Sequence, residues 1–236
     1  MRLKGRTLDN SFVYQGYESP AYFCDREAET RNIISHLKNG RNVTLVSPRR
    51  IGKTGSKHHL MAEIFGSPKH PFYQSAEMLG LKPLKEDVYY AFCRNFFKQK
   101  NGDLTEETFK YIYDKFEGHT WYVQCIMNRL YERELTVNNT EQVNRAILSV
   151  LEGREPQFEY MVQFFTENQF ALLKAIAHER IVAQPTASKF IKKHNLCGAS
   201  SIKAALKVLE EKELVYRKSG GYVVYDRFMD LWLLRK

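Results

Sequence analysis

Apolar residues recur at helical spacing over most of this chain and at strand spacing over very little of it. Ala28, Ile33, Ile34 and Leu37 line one side of a helix that opens at Asp25-Arg26-Glu27 and ends at Gly40, and that side is expected to be its buried one. The run Val43-Thr44-Leu45-Val46 then has the length and β-branching of a strand. Val88, Ala91, Phe92, Phe96 and Phe97 mark a second amphipathic helix, which Asn101-Gly102 breaks. Thr105 caps a third helix, in which Phe109, Ile112, Tyr113 and Phe116 fall at i, i+3, i+4 and i+7 before Gly118 closes it. Helices over about 120–134 and 140–153 complete a small bundle, whose aromatic stripe reads as core rather than as a cofactor box.

The last third follows a different pattern. Glu167 to His178, Thr186 to His194 and Ser200 to Lys212 read as helices, and a ribbon of Leu214–Arg217 and Tyr222–Tyr225 turns at Ser219-Gly220-Gly221. Three helices and a ribbon spell a winged helix-turn-helix. In its third helix Ile202, Ala205, Leu206 and Leu209 face inward, which leaves Ser200, Lys203 and Lys207 outside. With Arg217 and Lys218 on the wing, these residues suit contacts to DNA; a protein-contact module with solubilising lysines is the alternative. Two segments carry no periodicity. Residues 11–23 form an irregular lead-in suited to packing along a groove, and residues 66–83, with three prolines and two glycines, form a long connection anchored by Pro71-Phe72-Tyr73.

Composition narrows the class. A chain of 236 residues that is 43% apolar and 13% aromatic buries a sizeable core. No stretch approaches membrane-spanning length and Met1 to Asn10 hold no apolar run, so a cytoplasmic protein is expected. Cys24, Cys93, Cys125 and Cys197 are widely spaced, which favours separate reduced thiols over a zinc site or disulfides. His58 and His59 are adjacent and so point about 100° apart on a helix, with no fitting carboxylate; they read as solvent-facing. The formal charge of +9 is uneven: Lys174 to Lys218 hold ten Lys or Arg against four Glu, a local excess of +6.

The candidate chemistry sits after the strand, in Ser47-Pro48-Arg49-Arg50-Ile51-Gly52-Lys53-Thr54-Gly55. A strand feeding a loop that ends in Gly-Lys-Thr is the context in which backbone amides cradle phosphates. Gly52 permits close backbone approach, Lys53 can reach the outer phosphates of a nucleotide, and the Thr54 hydroxyl can take a Mg²⁺ site. Ser47 stands where the usual pattern has its first glycine, and a basic turn that merely contains Gly-Lys-Thr is the alternative reading. A helix is expected over Gly55 to Phe65, completing the anion site with its first-turn amides.

The order of these parts resembles the AAA+/STAND-like P-loop ATPases of the archaeal-type ATPase family. The residues that carry the resemblance are Phe23-Cys24-Asp25-Arg26-Glu27 at the entry, Ser47 to Thr54 in the loop, Gly118-His119-Thr120-Trp121-Tyr122-Val123-Gln124 as a lid motif, and the closing Tyr225-Asp226-Arg227-Phe228 with Leu231-Trp232-Leu233. The resemblance implies a mostly α protein with minor β: a truncated P-loop core over 1–83, a helical lid over 84–156 and a winged helix over 157–236. It also implies ATP and Mg²⁺ as ligands and places Arg26 and Glu27 near the base. One departure is large. Such an ATPase carries an apolar strand ending in paired carboxylates, which hold magnesium and polarise the attacking water, and none follows the loop here. Gly55 looks joined directly to sequence that lies far downstream in the family. The strand at 43–46 is therefore expected to pair with residues 11–23 or with another chain, in an oligomeric or strand-swapped assembly.

Overall fold

The structure is a computed structural model that describes residues 9–14, 26–46 and 77–236. The chain divides into two compact units, residues 1–146 and 147–236.

In the first unit, helix α1 (Glu27–Lys38) has Glu27 and Glu29 in its first turn and His36 and Lys38 in its last, complementing the helix dipole. It leaves through Gly40 at φ 67°. The expectation that its apolar side is buried is not met: no residue of α1 is buried, and Ile34 and Leu37 are 45% and 59% exposed. The reason lies in the sheet. Strand β1 (Val43–Val46) pairs in parallel with β2 (Glu77–Gly80), in a register from Val43↔Glu77 to Val46↔Gly80, and these two strands are the whole of that sheet among the described residues. Two strands are too narrow to cover a helix face.

The pairing corrects a second expectation. Among the described residues the partner of β1 is β2, from the stretch read as a connection rather than from the expected lead-in. Parallel pairing needs a connection of a dozen residues or more, and the interval between the two strands in sequence is longer than that. Glu77-Met78-Leu79-Gly80 contains no β-branched residue, so propensity did not announce it.

The bundle follows as α2 (Glu86–Gln99), β3 (Asp103–Leu104), α3 (Glu106–Lys115), α4 (Thr120–Arg133), β4 (Thr136–Val137) and the first turns of α5 (Thr140–Val162). Its core is aromatic: Tyr89, Phe97, Phe109, Ile112 and Phe116 are fully buried, and Phe109 meets Tyr89 edge-on at 5.5 Å. The hydroxyl of the buried Tyr89 donates to the Thr120 carbonyl (3.3 Å), and that of the half-buried Tyr113 donates to the Leu84 carbonyl (2.7 Å). The short parallel pair β3–β4 depends on Gly102, where a Cβ would lie 1.7 Å from the Leu135 carbonyl oxygen. Gln142 closes the turn into α5. Its Oε1 accepts from the Asn138 amide (3.0 Å) while its Nε2 donates to Glu134 (3.0 Å) and to the Thr136 carbonyl (2.9 Å).

The lead-in docks on this bundle as far as it is described. Phe12, 1% exposed, sits among Phe96, Phe97 and Tyr131 at centroid distances of 5.4, 5.9 and 5.3 Å. Burying such a ring contributes about 1.5–3 kcal/mol. Two amides fasten the backbone around it: Asn10 Nδ2 donates to the Asn128 carbonyl and Asn128 Nδ2 to the Phe12 carbonyl, each at 2.8 Å.

In the second unit, α5 continues past Gly153 and Pro156 to Val162, beyond the expected end at 153. Tertiary anchoring outweighs the local breakers: Phe158 is buried against Trp232 (5.5 Å), and Glu155 accepts from Trp232 Nε1 (3.3 Å) and Lys236 Nζ (2.8 Å). Helix α6 (Glu167–Glu179) starts with a full capping box between Thr166 and Gln169. Then come α7 (Ser188–Lys193), α8 (Ala199–Glu211), and a hairpin of β5 (Val215–Lys218) and β6 (Gly221–Val224). Val182 adds a bridge to Tyr222, and the close approach requires Gly221, where a Cβ would lie 2.5 Å from the Val182 carbonyl. Asp226 caps a last helix, α9 (Arg227–Leu233), by accepting from the amides of Phe228 (2.9 Å) and Met229 (3.3 Å).

Candidate phosphate loop and winged-helix surface

The loop residues Ser47, Pro48, Arg49, Arg50, Ile51, Gly52, Lys53, Thr54 and Gly55 lie outside the described residues, as do His58, His59, the expected helix to Phe65 and the Pro71-Phe72-Tyr73 anchor. What the structure does describe is their frame. The loop leaves the carboxyl end of β1, and parallel pairing puts Gly80, the carboxyl end of β2, beside that exit. In open α/β sheets this is the end at which ligands bind.

Arg26, named with Glu27 in the entry motif, belongs to the same end. Its Nη2 donates to the carbonyl of Lys82, two residues beyond β2, at 2.7 Å, and its Nη1 pairs with Glu29 at 2.6 Å. Burial is the largest single influence on Glu29 and works against its charged form, but the hydrogen bond from Arg26, a backbone hydrogen bond and the Arg26 charge together outweigh it and hold the carboxyl below its ordinary range. Arg26 thus ties the start of α1 to the chain leaving β2, a clasp between residues 56 apart that no local pattern announces. Strand β2 carries no carboxylate at its carboxyl end; its one acid, Glu77, begins the strand and pairs with Val43 at the far end.

The lid motif forms the corner between α3 and α4. Gly118 turns it at φ 66°, with a Cβ there 2.7 Å from the Tyr113 ring, and Phe116 stacks on Tyr122 at 5.6 Å and 7°. Thr120 Oγ1 and Gln124 Oε1 are buried in this corner without a hydrogen-bond partner among the described residues. Elsewhere in the bundle, Asp103 accepts from Arg94 (2.8 Å) and Lys98 (2.9 Å), which hold its carboxyl far below the usual range; this is a structural clamp beside β3. Among the described residues no group of three potential metal ligands is found, and no disulfide joins Cys93, Cys125 and Cys197 to one another.

On the winged helix, Ile202, Ala205, Leu206 and Leu209 are buried as expected, and Ser200, Lys203, Lys207, Arg217 and Lys218 are exposed. These five are not alike. Lys207 lies 3.9 Å from Glu211, and the Arg217 guanidinium lies over the Tyr222 ring at 5.9 Å, whereas Lys203 has no ion-pair partner among the described residues. Helix α7 adds two exposed lysines that its short pattern did not single out, Lys189 and Lys192. Its neighbours fix it to α6: Glu179 accepts from Lys193 (2.5 Å) and His194 (2.7 Å), and these bonds, Lys193 first, lower the Glu179 pKa.

Residues 156–235 match the family model of a probable winged helix domain. Among solved structures, the Walker-type ATPase paby2304 of Pyrococcus abyssi is similar with a TM-score of 0.55 at 14% identity, over 99% of this chain and 71% of that one. A point variant of Thermotoga maritima RuvB is also found, at a TM-score of 0.30 and 12% identity, over 82% of this chain and 71% of that one. A search of curated protein sequences finds no significant match. The fold is thus mostly helical with few strands, similar to that of a P-loop ATPase, and ends in a winged helix. Among the described residues no helix is long and apolar enough to cross a membrane.

Proposed function

We propose that the chain binds ATP through residues 47–55 and hydrolyses it poorly. The observation that carries this reading is the parallel pairing of β1 with β2, since a phosphate loop takes its geometry from a strand in such a sheet. Lys53 would meet the β- and γ-phosphates, the amides from Arg50 to Gly55 would cradle them, and Thr54 would hold Mg²⁺, which neutralises charge on the phosphates when bound. Arg26, clasped to Lys82, would stiffen the same end of the sheet. Impaired hydrolysis is expected because β2 ends in Leu79-Gly80, a strand end that offers no carboxylate to an attacking water.

Two measurements test this. ATP with Mg²⁺ at 100 times its dissociation constant stabilises a binder by about 2.7 kcal/mol, so a thermal shift that disappears in Lys53→Ala is expected, and its absence in the unmutated chain overturns ATP binding. Phosphate release equal to that of Lys53→Ala is the expected result for hydrolysis, and a clear excess overturns that half. Reading the gene through the codons for Gly55 and Ser56 tests the missing segment. An intact strand ending in paired carboxylates there would restore a hydrolase.

The parts are taken as a nucleotide-binding region over 1–83, a lid over 84–156 and a winged helix over 157–236, in a cytoplasmic protein. The parallel sheet has two strands among the described residues, and open edges on such a sheet would favour self-association; a monodisperse monomer in light scattering at micromolar concentration would count against it. A second reading treats the winged helix as an interaction module for DNA or protein, with the phosphate loop vestigial. The exposed face of α8, set against its buried Ile202, Ala205, Leu206 and Leu209, supports it.

A further inference from the structure

We propose that α7 and the amino-terminal half of α8 form a phosphate-gripping surface for double-stranded nucleic acid, with Lys189, Lys192 and Lys203 as its principal cations. The inference rests on the second reading, that the winged helix is an interaction module, and goes beyond it by naming the partner and by moving the contact away from the wing.

Charge is the first argument. From Arg180 to Leu209 the sequence contains no Asp or Glu, while Glu210, Glu211 and Glu213 crowd the far end of α8. A surface that only needs solubility interleaves both signs. This one is polarised along α8, positive toward the turn that joins it to α7.

Availability is the second. Lys189, Lys192 and Lys203 are exposed and have no acidic partner among the described residues, while Lys193 is held by Glu179 and Lys207 lies near Glu211. Lys189 and Lys192 stand one turn apart on a helix whose Phe190 is buried, and the bonds of Lys193 and His194 to Glu179 fix that helix on α6. The two lysines are therefore presented by a rigid support.

Shape is the third. Ahead of the acidic end at Glu210 and Glu211, the outward residues of α8 are Ala199, Ser200, Ser201, Lys203, Ala204 and Lys207, small or flexible, and a helix of that profile fits a major groove about 12 Å wide. Protein hot spots use large anchors such as Trp and Tyr. The exposed large apolar residues of this unit, among them Tyr160, Phe164 and Ile181, all lie off α7 and α8. In helix-turn-helix docking the first helix crosses the backbone and the second enters the groove, which assigns Lys189 and Lys192 to phosphates and α8 to the groove.

The test is fluorescence anisotropy of the full chain with a labelled duplex of about two helical turns, titrated from about 50 to 200 mM salt. Lys189→Glu with Lys192→Glu should weaken binding at least tenfold at low salt. The neutral pair Lys189→Gln with Lys192→Gln should reduce the slope of log affinity against log salt by about 1.8, at about 0.9 per phosphate contact. Arg217→Glu with Lys218→Glu should cost less, and the charge-matched pair Lys85→Glu with Arg133→Glu, outside this unit, should change little. If the wing pair abolishes binding and the α7 pairs leave it intact, the surface is misassigned while the module reading stands. Absence of duplex binding at low salt, or binding of polyglutamate in its place, overturns nucleic acid as the partner.

Discussion

Helices α1 and α3 carry apolar stripes of the same period, and only one of them is buried. In α3, Phe109, Ile112 and the capping Phe116 are wholly inaccessible, whereas in α1 Ile34 and Leu37 remain 45% and 59% exposed. Periodicity states which side of a helix wants cover; the neighbours decide whether it is supplied. Around α3 the neighbours are local in sequence, since α2 and β3 come directly before it and α4 directly after. Around α1 the cover would be a wide sheet, and the described sheet has two strands.

This contrast can be broken or sharpened experimentally. The largest effect is expected in the bundle: Phe109→Ala removes a ring that touches Tyr89 and Tyr90 and should cost about 3–5 kcal/mol in denaturant unfolding. A loss below about 1 kcal/mol would mean the bundle is no better packed than α1. Next, Gly102→Ala pushes a Cβ into the Leu135 carbonyl and should cost about 1–3 kcal/mol, read as a drop in thermal midpoint.

A smaller, pH-dependent effect is expected in the second unit. Glu179 is acidified by Lys193 and His194, so its folded pKa is below its unfolded one. Its contribution is present above the unfolded carboxylate pKa and is lost as pH falls through the lower folded value. Thermal midpoints followed from neutral to strongly acid pH should therefore show a component missing from Glu179→Gln. Identical profiles would remove the pair as a support for α7. The smallest effect belongs to α1, where Leu37→Ser should change stability by no more than about 0.5 kcal/mol. A large loss would show that the face is covered after all.

Much of the winged helix was legible because each of its signals is local. Thr166 and Gln169 make a capping box, Ser219-Gly220 turns a two-residue hairpin, and the inward set of α8 follows directly from its spacing. The helix boundaries of the bundle were legible for the same reason, with Asn101-Gly102 and Gly118 as stops. Strand β2 was not, because Glu77-Met78-Leu79-Gly80 has no strand-forming residue and is held by its partner. Helix α5 ran past Gly153 and Pro156 because Phe158 and Glu155 are held by Trp232. In the candidate site, Ser47 to Gly55 rest on sequence alone, while Arg26 gained a defined role as the clasp to Lys82.

The sequence by itself determined the order of parts, the helices with their stops, the phosphate-loop signature and the acid-free stretch from Arg180 to Leu209, because caps, periods and charges are properties of neighbouring residues. Only the tertiary structure decided that β1 pairs with β2, that the stripe of α1 stays exposed, and that Lys193 is held by Glu179 while Lys189, Lys192 and Lys203 have no ion-pair partner among the described residues. Those outcomes depend on which distant groups meet, and the energy of a pairing or a burial is set by the partner as much as by the residue itself.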